Sequence, residues 1–334
     1  MKEIFIKGMT YGWNSTRGAY QTSAAVDSMK KLSETGSEWI ALSFYTLQDS
    51  YSSTKIDFDY GHTMTDKDIR FAVKQAKSLG LKVCLKPVVN SRDGIWRARI
   101  GFPDEAVDKW DKWFTSYTNF LLHYAEIAQE LGCEMFCLGC EMVQTERKTE
   151  HWIQVIEEVR KVYKGPLVYN ANHGTEEGIE WFDHVDIIGT SAYYPVANKP
   201  GDSEENMVEN WLNVKDKMIK LYERFQKPIL FVEIGCRSAL GCASMPWDFE
   251  HKELPFNESE QANFYSSVMK VFWDEPWFAG FFWWDWSTEL YPIEEAKANR
   301  GFDIYGKQAG EVLKTWYKKE VPSKEEFKKV GGIH

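Results

Sequence analysis

The chain of 334 residues has no basic excess: 40 Lys and Arg stand against 50 Asp and Glu, giving a net charge of −10 and a pI near 5.4. Nucleic acid and anionic membrane surfaces both call for a basic footprint, so neither is an expected partner. No run approaches the roughly 18–20 apolar residues of a membrane span. The N-terminal MKEIFIKGMTYGW carries Glu3 and Lys7 in its short apolar patch and lacks the apolar core and small-residue cleavage site of a secretory leader. A cytoplasmic location is expected, or a secreted one if a leader has been trimmed. Six cysteines are too few for a disulfide scaffold. Cys137-Leu-Gly-Cys140 is a CxxC, yet neither a second CxxC nor an HxxxH accompanies it, so no structural metal is expected. Cys84, Cys137 and Cys236 lie in strand-like runs, where free cysteine behaves as a small hydrophobe, and this usage fits a reducing compartment. The first turn reads YGWNSTRG without the GxGxxG spacing of a dinucleotide site, and no GxSxG elbow occurs. No cofactor is expected.

What the chain does have is aromatic residues and a regular alternation. Aromatics make up 15% of it, with 15 Trp, 16 Tyr and 20 Phe, which serve either as large core residues or as flat faces for sugar rings. Short apolar runs predict strands at Phe5–Tyr11, Trp39–Tyr45, Lys82–Val89, Glu134–Glu141, Leu167–Asn170, Val185–Ala192, Pro228–Glu233 and Ala279–Trp284. Amphipathic stretches between them predict helices over 22–35, 66–79, 105–131, 149–163, 205–225, 258–273 and 307–319, with only EEGIEWF (176–182) in the fifth connection. In 66–79, Ile69, Val73, Ala76 and Leu79 share a face, Thr65 or Asp66 can cap the start, and Gly80 ends it. Eight strand–helix units imply a parallel sheet closed into a (β/α)8 TIM barrel, an α/β fold. No linker divides the chain, so one catalytic domain over 1–334 is expected. The Lys- and Glu-rich segment 318–329 reads as a solvated helix end.

In such a barrel the site lies at the C-terminal strand ends. Those positions hold Tyr11 and Trp13, Tyr45, Lys86 and Asn90, Glu141, Tyr193 and Tyr194, Glu233, and Trp283, Trp284 and Asp285. Glu141 and Glu233 each close an apolar run, EMFCLGCE and PILFVE. A carboxylate there is costly unless it pairs or does chemistry. Pairing with Lys86 or Arg237 is one outcome. The other is glycoside hydrolysis, in which one carboxyl protonates the leaving oxygen and the other attacks the anomeric carbon or activates water. Asp285 is expected behind the site, and Glu146, Glu150, Glu157 and Glu158 are expected in solvent.

These two glutamates, with SAYYP (191–195) and FFWWDW (281–286), resemble a retaining glycosidase of the large (β/α)8 clan. The order KGMTYGWNS, CLKPVVN, CLGCEM, FVEIG resembles glycoside hydrolase family 113, the β-1,4-mannanases, from about residue 5 to 317. The resemblance implies Glu141 as acid/base and Glu233 as nucleophile of an endo-acting, retaining mannanase, taking β-mannan or manno-oligosaccharides without a cofactor. Retention asks for carboxyl groups about 5–5.5 Å apart. It also implies a tyrosine donor to Glu233, expected as Tyr194 rather than Tyr193, and Trp284 as the floor of the −1 sugar site. Trp13, Tyr45, Trp96 and Trp247 extend the cleft or simply pack, and Asn90 and Lys86 are candidates for sugar hydroxyls. One departure stands out. Much of the clan has Asn before the acid/base, contacting the sugar 2-hydroxyl, and here that position is Cys140, a poor donor. Another β-glycan, exo-β-mannosidase action and a non-catalytic sugar-binding barrel are the alternatives.

Overall fold

Each apolar run becomes a strand of one closed sheet. The computed structural model describes residues 5–58 and 61–321. The part of the charged tail from Lys324 to Lys329 lies outside the described residues. In chain order the elements are β1 (Ile6–Tyr11), α1 (Ser23–Ser33), β2 (Trp39–Gln48), β3 (Ile56–Asp57), α2 (Asp66–Ser78), β4 (Lys82–Ser91), α3 (Val107–Glu130), β5 (Met135–Cys140), α4 (Val143–Glu146), α5 (Thr149–Val162), β6 (Leu167–Asn172), β7 (Ile187–Ser191), α6 (Glu204–Phe225), β8 (Ile229–Ile234), α7 (Glu258–Phe272), β9 (Phe278–Trp286) and α8 (Gln308–Tyr317). The sheet runs β1-β9-β8-β7-β6-β5-β4-β2-β3, and a β1–β2 pairing closes it. Neighbouring barrel strands are parallel, while β3 is a short antiparallel ribbon on the end of β2. This is the (β/α)8 barrel expected. Because β3 is extra, the fourth and seventh barrel strands are β5 and β8. The weak fifth connection contains two single 3-10 turns, Glu176–Gly178 and Phe182–His184.

Two apolar layers hold the barrel. The outer one lies between strands and helices. In α2, Ile69, Ala72, Val73 and Ala76 are buried, Thr65 caps the start in a reciprocal box with Asp68, and Gly80 leaves with φ 77°. Each fully buried Ile or Val on that face contributes roughly 1.5–3 kcal/mol. The inner layer fills the lower lumen with Ile6, Trp39, Cys84, Val168, Leu230 and Phe282 among its members. Gly189 has no space for a side chain there: a Cβ would lie 2.6 Å from Val232 and 2.8 Å from Val168. Among the described residues, no helix is long and apolar enough to cross a membrane, and no cluster of His, Cys, Asp and Glu could hold a metal ion.

Candidate active site

One pleat above the apolar layer the inward positions turn polar. On β4, Cys84 gives way to Lys86, and on β6 Val168 gives way to Asn170. On β5 and β8 the register shifts near the strand ends, between Cys137 and Cys140 and between Phe231 and Ile234, and these irregularities sit where Cys140 and Glu233 enter the site. Lys86 is wholly buried and forms an ion pair with Glu233, which is 4% exposed. Glu233 Oε1 also accepts from Asn170 Nδ2 (3.1 Å) and Cys140 Sγ (3.2 Å), and its Oε2 accepts from Tyr193 OH (3.2 Å). Burial alone would push this carboxyl up. The Lys86 ammonium, then the Arg97 guanidinium, outweigh it and hold Glu233 below the usual carboxylate range.

Glu141 is the first residue past β5 and adopts φ 53°, a left-handed backbone at a cost of roughly 1–2 kcal/mol for a side-chain-bearing residue. Its N–H donates to Asn170 O at 2.7 Å, which fixes this turn against β6. Arg97, from the loop after β4, grips it: Nη2 donates to Glu141 Oε2 (2.8 Å) and Cys140 Sγ (3.3 Å), Nε to Cys140 O (3.0 Å) and Nη1 to Asn90 Oδ1 (3.2 Å). Trp96 Nε1 lies 3.4 Å from the same carboxylate oxygen. Burial raises the Glu141 pKa and the negative Glu233 adds to it, while Arg97 opposes; the net direction is upward.

Aromatic rings flank the pair on both sides. Trp13 lies 5.4 Å from Trp284 and 5.5 Å from Tyr45, with Arg97 5.7 Å from the Trp13 ring and Lys86 5.8 Å from the Trp284 ring. Gly235 lets the chain pass under Trp284, since a Cβ would meet the Trp284 carbonyl oxygen at 2.5 Å. These rings come from the arc of strands that runs from β9 through β1 to β2. On the opposite arc, over β6 to β8, Trp247 is 44% exposed and stacks on His173 (5.5 Å, 22°), which in turn meets Tyr194 (5.6 Å). Burial holds the His173 pKa down.

The structure brings Trp13, Tyr45, Lys86, Asn90, Trp96, Trp284, Glu141 and Glu233 together, and it corrects two expectations. Tyr194 does not reach Glu233; its hydroxyl donates to Glu176, and Tyr193 takes the place beside Glu233. The register shift between Thr190 and Ser191 breaks the alternation that would have told the two tyrosines apart. Glu146 is not in solvent. It is 5% exposed and accepts from Tyr169 OH at 2.7 Å. Of the two ion-pair partners considered for the glutamates, Lys86 is used, whereas Arg237 faces Asp248 at 3.7 Å. Asp285 is a buried carboxyl raised well above the usual range by burial, then by Asp303 and Glu233. Arg97 and Asn170 are the site residues that sequence reasoning missed, whereas Tyr193 was named among the strand-end residues but ranked behind Tyr194. An arginine in a loop has no periodicity to reveal it, and Asn170 reads simply as the end of an apolar run.

A barrel that holds one carboxyl below the usual pKa range and a neighbouring one above it, between aromatic faces, has the equipment of a glycoside hydrolase. Residues 9–307 match the sequence model of Glycoside Hydrolase Family 113, and the chain belongs to that family. A GH113 β-1,4-mannanase solved as a complex is 38% identical, with a TM-score of 0.87 over 96% of this chain and 100% of that one. The GH113 β-mannanase of Alicyclobacillus acidocaldarius, solved with ManMIm, is 38% identical, with a TM-score of 0.86 over 94% of this chain and 97% of that one. A β-glucuronidase of Faecalibacterium prausnitzii shares the fold at 15% identity, with a TM-score of 0.63 over 96% of this chain and 50% of that one. No curated protein sequence matched the chain.

Proposed function

We propose that this enzyme is a retaining endo-β-1,4-mannanase acting on mannan or manno-oligosaccharides from one barrel domain. The observation that carries the reading is the opposed pKa shift of two neighbouring carboxyls, Glu233 held down and Glu141 held up, in a chain similar to two β-mannanases at 38% identity. Glu233 attacks the anomeric carbon while Glu141 gives its proton to the departing glycosidic oxygen. A glycosyl ester forms on Glu233 and the shortened chain leaves. Glu141, now ionised, takes a proton from water, and the resulting hydroxide equivalent cleaves the ester with overall retention.

Two features support the finer claims. The clan's amide before the acid/base is Cys140 here, and Asn170 on the next strand brings an amide to 3.2 Å from Cys140 Sγ and 3.1 Å from Glu233 Oε1, where it can serve in that amide's stead. Rings on both arcs of the rim, Trp13, Tyr45 and Trp284 on one and Trp247 on the other, offer stacking on either side of the cut bond, as endo cleavage requires.

The test is hydrolysis of mannan, galactan and xylan, with product lengths and the anomer first released read by chromatography and NMR. Short manno-oligosaccharides with β configuration are expected. Mannose as the sole product would overturn endo action, α product would overturn retention, and preference for another glycan would overturn the sugar assignment. Unchanged activity in Glu233→Ala would refute the catalytic assignment.

A further inference from the structure

We propose that Cys236 and Cys242 form a peroxide-oxidisable dithiol site, a modification site that closes into a disulfide strap behind the β8 end of the active site. Both thiols are free and buried, and their Sγ atoms are 3.1 Å apart. Among the described residues no other two thiols stand in such contact.

Both backbones are already anchored for the bond. The Cys236 carbonyl accepts from Gln261 Nε2 at 2.9 Å, so α7 holds the strand end. Glu260 clamps the loop on either side of Cys242, accepting from the Gly241 N–H (2.8 Å) and the Ala243 N–H (3.2 Å). Closing the sulfurs to a bond length of about 2.05 Å needs roughly 1 Å of movement. Disulfide formation therefore leaves Glu233, three residues upstream, where it is.

Access fixes the oxidant. Cys236 is fully enclosed, while Cys242 is 6% exposed and lines a narrow crevice with Arg237, Met245 and Asp248 whose volume, about 10 Å³, is that of about one water molecule. Hydrogen peroxide, little larger than water, is the oxidant small enough to reach the sulfur there, and bulky disulfide reagents are not. The Cys242 sulfur attacks one oxygen of hydrogen peroxide, breaking the O–O bond to give a sulfenic acid and one water once the thiol proton is counted. The Cys236 sulfur then attacks the sulfenic sulfur; its proton leaves with the hydroxyl as the second water. Two thiols are oxidised and one peroxide is reduced. Burial, with the Cys242 contact next, pushes the Cys236 thiol well above its ordinary pKa. Since the thiolate is the nucleophile, this slows the second step, in which the Cys236 proton has to leave with the hydroxyl as the sulfur attacks.

The experiment treats the full-length enzyme with hydrogen peroxide, unfolds it, alkylates the remaining thiols and maps the peptides by mass spectrometry. The expected result is a fall from six alkylated thiols to four, a Cys236–Cys242 cross-link, and a melting temperature higher by about 5 °C that dithiothreitol reverses. Hydrolytic activity should stay within about twofold. Cys242→Ser should lose the temperature shift. Persistence of all six thiols, oxygen addition at either cysteine without a cross-link, or a cross-link elsewhere would overturn the proposal. Because the readout is thiol chemistry, it stands or falls separately from the mannanase reading.

Discussion

The lower and upper halves of the barrel lumen are built on the same strands but from different materials. Below, Ile6, Trp39, Val168, Leu230 and Phe282 form a wholly apolar filling. Above, Lys86, Asn170 and Glu233 are as deeply buried, yet each is polar. The lower half is stable because its side chains need nothing but contact. The upper half survives burial only because every charge has an assigned partner: Lys86 with Glu233, and Arg97 with Glu141. Such pairs barely repay their desolvation. The difference between the halves is thus one of purpose, since the upper layer sacrifices stability for two carboxyls whose pKa values are pushed in opposite directions.

The largest effect that could break this comparison is in the ion pair. Replacing both members, Lys86→Met with Glu233→Leu, should cut hydrolysis by about 10⁴-fold or more, yet leave urea stability equal to the parent or higher by about 1–4 kcal/mol. Glu233→Leu alone should cost about 3–5 kcal/mol, because Lys86 stays buried without its counter-charge. A double variant as unstable as the single one would show that the upper layer is structural after all. In the lower layer the reverse is expected: Leu230→Ala should lose about 2–5 kcal/mol in denaturant titration and keep kcat within about twofold.

Arg97 tests how the two protonation states are set. Activity should fall as pH drops through the depressed Glu233 pKa and again as pH rises through the elevated Glu141 pKa. Arg97 opposes the elevation, so Arg97→Ala should move the alkaline limb of kcat/KM to higher pH, with a loss of about tenfold from the misplaced acid. An unmoved limb would separate Arg97 from Glu141.

The smallest effect concerns Glu146, raised from 4.5 to about 7 by burial, against its bond from Tyr169 and with Glu176 and Glu141 adding. Between those values the unfolded chain releases a proton that the folded chain keeps. Stability should therefore fall as pH rises through that window, by a few kcal/mol at most, and level off above it. Glu146→Gln should flatten that slope in a pH series of denaturant titrations.

The eight barrel strands, their closure and both glutamates were legible in the sequence because each rests on short apolar runs of fixed period, whereas the two-residue β3 was not. What was not legible sits where period fails. The Tyr193–Tyr194 choice hangs on a register shift at Thr190, Arg97 rides on an aperiodic loop, and Glu146 looks like any helix glutamate until Tyr169 is seen beside it. The contact of Cys236 with Cys242 depends on the path of a loop, which composition does not encode.

The filled lower lumen has a consequence for the geometry of a polymer. With Gly189 hemmed in by Val168 and Val232, nothing threads the barrel, and a glycan meets the protein as a rope laid over a closed drum. On the endo action proposed above, neither chain end has to be found before a bond is cut. The place of attack is decided by how many sugar units rest on each side of the rim.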